Sequence, residues 1–334
     1  MSRANTNSHN RSSISALVVA FILVAAAIFV YMHRQYVIDQ LAVWQYKPSA
    51  EIADIVKKGS LSDKGTFYFY ASRPSLEDRT VFNDRCVNQE VQAAILGCYT
   101  NNDIYIYNVQ NDKLEGIKTV TGAHEMLHAA YSRLSDAEKS DVDRLIEAEY
   151  KKLKNNQALS QRIAFYAKTE PGQRNNELHS LIATETQTIS PKLEKYYKQY
   201  FTDRQKVVAL HSQYESEFTS LQDKADTLTN ELKAIASSVE MNSKQYNNDV
   251  QQLNGDINSF NSRANGGDFS SQAAFAAERD QLTARADQLD QTRRDVNQSI
   301  ARYDRLQTEL ESIATQSDAL NRSINSKLAP APSV

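Results

Sequence analysis

Apolar positions follow three different rules along this chain. Residues 14–32 form an unbroken apolar run that carries no charge and has Ser15 as its one polar side chain. As a helix the run is long enough to cross the hydrocarbon layer of a bilayer, so a membrane anchor is expected there. Residues 33 to about 190 mix β-branched and aromatic stretches with segments of helical period. From about residue 192 the apolar positions recur every seven residues.

The middle region is expected to fold as an α+β domain, a few strands followed by a helix cluster. Residues 33–47 continue helically from the apolar run, and Pro48 ends them by restricting the residue before it. A short helix follows, capped by Ser49, with Ile52 and Ile55 facing inward and Gly59 closing it in a left-handed conformation. Lys64-Gly65 suggests a turn, and Thr66-Phe67-Tyr68-Phe69-Tyr70 a strand that Pro74 stops. Helical spacing over 87–96 leads to Gly97-Cys98-Tyr99. Residues 103–109 follow across Asn101-Asn102, giving two strands of a small antiparallel sheet. Helical period then covers 115–134, and Ser135-Asp136-Ala137-Glu138 is a capping box that opens another helix at once. Further helices are expected over 157–168 and 175–188, on either side of Pro171-Gly172.

The heptad region has two seams. Phe218, Ala225, Leu232, Val239, Tyr246, Leu253 and Phe260 form one, and Val207, Tyr214, Leu221, Leu228 and Ile235 the other. Asn265-Gly266-Gly267-Asp268 breaks the helix, after which Phe275, Leu282, Leu289, Val296, Tyr303 and Leu310 resume the repeat. An antiparallel coiled-coil hairpin is therefore expected, with Asn242 and Arg293 as polar interruptions of its seams. Its faces are rich in Gln, Asn, Ser, Asp and Thr, which suits a solvated spacer or docking arm that adds nothing to a catalytic site. Self-association through the same seams is the alternative. The expected organisation is a cytoplasmic tail 1–13, an anchor 14–32, a helical linker 33–60, a compact domain 61–190, a hairpin 191–326 and a disordered tail 327–334.

Charge excludes one class of partner. The 38 basic and 41 acidic side chains give a net charge of -3, and no stripe of Lys or Arg could track phosphates, so nucleic acid is not expected as a partner. Arg3 and Arg11 precede the apolar run with no acid, whereas Arg34 after it is soon offset by Asp39. That bias places the N-terminus in the cytoplasm and everything after residue 33 outside. Ala25, Ala26 and Ala27 permit a cleaved signal peptide instead, but the apolar run continues to Met32, longer than the apolar core of a signal. Cys86 and Cys98 fall in the part assigned to the outside, and a disulfide between them is expected over two unpaired buried thiols.

The candidate chemistry lies in His124-Glu125-Met126-Leu127-His128. Two histidines four apart on a helix stand one above the other and can converge on a single ion, with Glu125 beside them. Two imidazoles and a carboxylate suit Zn2+, leaving a fourth position for a water of lowered pKa whose proton a neighbouring carboxylate can take. Met126 and Leu127 are uncharged, as the buried side of such a helix requires.

On this motif the region 61–190 resembles the zincin superfamily of metallopeptidases. The resemblance implies zinc held by His124 and His128, with Glu125 as general base on the metal's water. The metzincin branch would place a glycine at position 131 and a histidine at 134, where this chain has Tyr131 and Leu134. Asn176-Glu177-Leu178-His179-Ser180 is similar to the Asn-Glu-x-x-Ser sequence of gluzincins, whose Glu supplies the third ligand, and this implies Glu177. Leu181 departs from the Asp of the thermolysin-like version, so a partner that orients a ligand histidine must come from elsewhere.

Physical arguments keep alternatives open. Glu185 shares an apolar face with Leu178, Leu181 and Ile182, and Glu149 shares one with Val142 and Leu145; a buried carboxylate needs a partner. His179 is a further candidate, as ligand, proton donor or oxyanion stabiliser, against an ordinary exposed histidine. His9, His33 and His211 are assigned no chemistry. The function expected is a membrane-anchored zinc metallopeptidase hydrolysing peptide or protein substrates on the extracytoplasmic side. The alternative is an envelope interaction protein whose coiled coil docks or activates a cell-wall-processing partner, with an inert or structural zinc domain.

Overall fold

The apolar run is helical, and the helix that follows it turns sharply. In the computed structural model, which describes residues 8–86, 95–169 and 172–326, α1 (Ser8–Met32) and α2 (Arg34–Gln45) meet at His33, whose backbone leaves the helical region. The axes of Val18–Met32 and α2 are bent by 79°. Among the described residues no single helix is long and apolar enough to cross a membrane, and this pair passes only together, on length and composition.

α3 (Ala50–Lys58) starts as its sequence dictates, with Ser49 accepting from the Ile52 amide and with Ile52 and Ile55 buried. Its end differs from expectation. Gly59 stays right-handed and Ser60 takes the positive φ of 48°.

The expected strand at 66–70 is instead α4 (Asp63–Ala71). Ser62 caps it by accepting from the Gly65 amide at 3.1 Å, so Lys64 and Gly65 lie inside the first turn. Strand preference among side chains spans only about 1 kcal/mol. Burial of a phenylalanine is worth about 3–5 kcal/mol by truncation, and this helix buries Phe69 completely. Gly65 is also required by a close approach, because a Cβ there would lie 2.2 Å from the Tyr200 carbonyl oxygen.

A three-stranded sheet follows. β1 (Ser75–Glu77), α5 (Arg79–Arg85), β2 (Gly97–Thr100) and β3 (Asp103–Tyr107) come in that order along the chain. β3 is central, parallel to β1 with Ser75 opposite Tyr105 and antiparallel to β2 with Cys98 opposite Tyr105. Asn101 and Asn102 both adopt positive φ, the twist that a two-residue hairpin needs. The helix expected over 87–96 lies almost entirely outside the described residues. Cys86 and Cys98 form the expected disulfide, joining the end of α5 to β2.

β3 packs Ile104 and Ile106 against α6 (Ile117–Ser132), whose Val120, Ala123, Met126, Leu127 and Ala130 form the buried stripe. The Ser135–Glu138 capping box is present at the start of α7 (Asp136–Tyr150). α8 (Gln157–Thr169), α9 (Arg174–Glu185) and α10 (Pro191–Tyr197) complete the cluster, with Leu178 and Ile182 of α9 in the same core.

The compact unit extends past residue 190, and it also takes in residues from Ser323 onward. Tyr197, Tyr200, Phe201 and Val207 are fully buried in it. Arg204, in the first turn of α11 (Arg204–Gly266), donates to the carbonyls of Ala183, Thr186 and Gln187 and pairs with Glu194. The boundary expected at 191 therefore falls after Ser216. The heptad pattern does not detect this, because the same apolar spacing serves a core contact as well as a coiled-coil seam.

Residues 217–322 form the second unit, an antiparallel pairing of α11 with α12 (Gln272–Ile324). Arg263 pairs with Glu278, Arg285 with Asp256 at 2.6 Å, and Arg302 with Glu231. Phe260, Phe269 and Phe275 cluster beside the turn at Gly267. Leu228, Leu232, Leu253, Phe260, Ile313 and Leu320 are the buried seam residues. Asn242 and Arg293, expected within the seams, are exposed instead.

Candidate metal centre

The helical repeat sets the first part of the site. α6 must turn Ala123, Met126, Leu127 and Ala130 inward against the sheet and α9, which leaves His124 and His128 together on an adjacent stripe. Their rings lie edge to face with centroids 4.7 Å apart. α9 packs along α6 through Leu178, Leu181 and Ile182, and that packing fixes its first turn, where Glu177 stands.

Glu177 reaches both imidazoles. Its Oε1 is 3.4 Å from His128 Nε2, and its Oε2 is 3.7 Å from His124 Nε2. Donor atoms of all three residues lie within 4.8 Å of one another, so the cluster can hold a metal ion. Glu177 Oε2 is buried without a hydrogen-bond partner among the described residues. A buried carboxylate oxygen in that condition costs free energy unless a cation meets it, so the donor set fits a divalent ion.

A partner that orients His128 comes from α9 itself. Asn176 Oδ1 lies 3.0 Å from His128 Nδ1, and Ser180 Oγ lies 3.5 Å from the same atom. With Nδ1 carrying the proton toward Asn176, Nε2 keeps its lone pair on the Glu177 side. The sequence points to the Asn-Glu-x-x-Ser segment, but only its Glu177 and His179 stand out as candidates there, not Asn176 or Ser180. The spacing of Asn176 and Ser180, four apart and hence on one helix face, was the signal for the rest.

Charge within the cluster is mutually supportive. Burial disfavours a proton on His124, but Glu177 and the carboxylates of Glu125 and Glu185 outweigh that and raise its pKa above the ordinary 6.5. Burial likewise works against the Glu177 carboxylate, yet His128 and His124 hold it below the ordinary 4.5.

Glu125 is 5% exposed, on the same helix as both histidines. It lies against the start of β2, where a Cβ on Gly97 would come 2.7 Å from Glu125 Oε1 and 2.6 Å from Thr121 Cγ2. Gly97 thus supplies room for the carboxylate, a role that no motif in the sequence announces.

The other candidates are engaged elsewhere. Glu149 accepts from the Ser190 amide at 2.9 Å and pairs with Lys152. Glu185 pairs with Arg162, and His211 Nε2 stands 3.7 Å from its other oxygen, in the compact unit rather than the coiled coil. His179 is fully buried, not exposed, among Tyr131, Tyr196, Tyr197 and Tyr200, with Nε2 3.0 Å from the Tyr196 hydroxyl. Burial and the nearby His128 and His124 push its pKa down to about 3, which keeps it neutral. Compared with models of known families, with curated proteins and with solved structures, the chain matches none.

Proposed function

We propose that this chain is a membrane-anchored zinc metallopeptidase acting on the extracytoplasmic side. The observation that carries the reading is the buried cluster of His124, His128 and Glu177 with Glu125 on the same helix. His124, His128 and Glu177 would hold Zn2+. Bound there, the ion supplies Lewis acidity toward a peptide carbonyl and lowers the pKa of water. Glu125 accepts a proton at its carboxylate and returns it to the leaving amine, a task that suits a carboxylate kept dry and beside the cluster. Asn176 keeps His128 in the tautomer that ligates. The apolar run 14–32 is the anchor, and the Cys86–Cys98 disulfide supports an oxidising compartment for the rest of the chain.

The test is the Glu125→Gln variant of the full chain, assayed for zinc content and for hydrolysis of casein. Zinc should remain stoichiometric while turnover falls by a factor on the order of a thousand or more. Full activity in that variant would sink the mechanism. A second reading, an envelope coiled-coil protein with a structural zinc domain, draws on the separate hairpin unit and its solvated faces. Stoichiometric zinc without turnover on any substrate favours that reading.

A further inference from the structure

α2 exposes apolar side chains on its outward side. The face of this helix turned toward the domain carries Asp39, which is 3% exposed, beside Ala42 and Val43, while the opposite side carries Val37, Leu41 and Trp44 along with Arg34 and Gln45. At 100° per residue the three apolar side chains fall within an arc of about 60° on the side facing away from Asp39. Trp44 is 81% exposed, and Ile38 and Tyr36 flank the stripe, also exposed. A helix that only linked two soluble parts would show its polar side to water.

The buried acid explains how the helix is held. Arg133, the C-cap of α6, meets Asp39 through two hydrogen bonds, Nε to Oδ2 at 2.9 Å and Nη2 to Oδ1 at 2.8 Å, with both side chains 4% exposed. The remaining donor of the guanidinium, Nη1, reaches the Ala129 carbonyl at 2.7 Å and the Tyr99 hydroxyl at 3.1 Å. Asp39 is the only acid in α2, so the outward face has none, while Arg34 opens the helix and Lys47 follows its C-cap Tyr46.

We infer that α2 is an interfacial helix that lies in the headgroup layer of a lipid bilayer with Val37, Leu41 and Trp44 immersed. The occupant of this face is set by what precedes it. α1 carries exposed apolar side chains from Val18 to Met32, and the 79° bend turns α2 nearly at right angles to it. With residues 14–32 as the anchor proposed above, a helix bent 79° from Val18–Met32 lies close to the plane of the membrane. Tryptophan is favoured at that depth, and a face without acids suits anionic lipid. The inference rests on the anchor reading above. Through Asp39 and Arg133 it also fixes the catalytic helix relative to the bilayer.

Trp44 is the only tryptophan of the chain, so intrinsic fluorescence reports on this face alone. The full chain is reconstituted in vesicles of phosphatidylcholine and phosphatidylglycerol, with and without lipids brominated near the headgroup end of the acyl chains. Expected are co-flotation with vesicles, a blue-shifted emission, strong quenching by the brominated lipid and protection from acrylamide. The exposed-site variant Val37→Ser with Leu41→Ser should still float through α1 but lose most of the bromolipid quenching. Flotation with a water-like, acrylamide-sensitive emission would overturn the inference while sparing the anchor. Protection from acrylamide without bromolipid quenching would assign the face to a second copy, also overturning it. Failure to float would remove both.

Discussion

Asn176 Oδ1 sits 3.0 Å from His128 Nδ1, and the amide that carries it is itself fixed by donation from Nδ2 to Gln173 Oε1 at 3.0 Å. The orientation of one imidazole is therefore set two steps away from any metal. Asn176→Ala should weaken zinc binding by about 10–100-fold while leaving the melting temperature of the chelated protein almost unchanged. Competition against a chromophoric chelator measures this. Wild-type affinity in the variant would assign the orientation of His128 to Ser180 instead.

The choice among the three carboxylates is open to a direct contrast. Glu177→Gln should bring zinc content well below one per chain after dialysis, because the site is left with two imidazoles and a neutral amide. Glu185→Gln should keep zinc and lose only its pairing with Arg162 and His211. Glu149→Gln should also keep zinc, at a cost of about 1–3 kcal/mol in stability from the weakened acceptor for the Ser190 amide. Loss of zinc in either of these two, with Glu177→Gln unaffected, would move the third ligand.

The stripped site should be most stable in mild acid. His124 is raised above 6.5, so its contribution to stability is fully present below 6.5 and is lost as pH climbs through the folded value. Glu177 is depressed below 4.5, so its contribution is present above 4.5 and is lost as pH falls through the folded value. Thermal melts of the chelated protein should show this pair's contribution greatest between 4.5 and 6.5. Zinc needs neutral imidazoles, so its binding should release protons and weaken as the pH falls through the raised His124 value. A zinc affinity independent of pH across that range would exclude His124 as a ligand.

Removal of the second unit should spare the site. Replacing residues 217–322 by a glycine-serine linker keeps Tyr197, Tyr200, Phe201, Arg204 and Val207, all buried in the first unit. Zinc content and hydrolysis of a short peptide should persist. A cut made at residue 200 should unfold the domain, since it deletes an aromatic and aliphatic part of its core worth about 2–5 kcal/mol per side chain. Equal loss of zinc in both deletions, seen by metal analysis, would show that the helical hairpin completes the fold.

What the sequence reveals here is what repeats or stays local. The His124-x-x-x-His128 spacing, the Ser135 capping box and the Asn101-Asn102 hairpin are each written within a few residues, and the structure has all of them; the heptads mark the two long paired helices but misplace Val207, Asn242 and Arg293. Residues 66–70 are the instructive failure. Their aromatic and β-branched composition suggests a strand, and the competing signal, Ser62 followed by Asp63, is a helix start that packing of Phe69 then makes decisive. Asp39 and Arg133 lie 94 positions apart, and nothing periodic connects them. The same holds for Glu185 and His211, which meet only once the helices are packed. Glu177 was nameable because a short segment resembled one already known, whereas the work of Asn176 and Ser180 depends on which way α9 faces.

Gly97 has a practical consequence. Substitutions at His124, Glu125, His128 or Glu177 alter the charge or the donors of the cluster, and the resulting protein is a poor reference for the native one. At position 97 a single methyl group would collide with Glu125 Oε1 and Thr121 Cγ2, shifting the carboxylate while removing no ionisable group and no metal donor from the chain. Under the peptidase reading proposed above, Gly97→Ala is an electrostatically matched probe of Glu125: the methyl displaces a carboxylate that is not among the three metal donors, so zinc should still load while turnover falls.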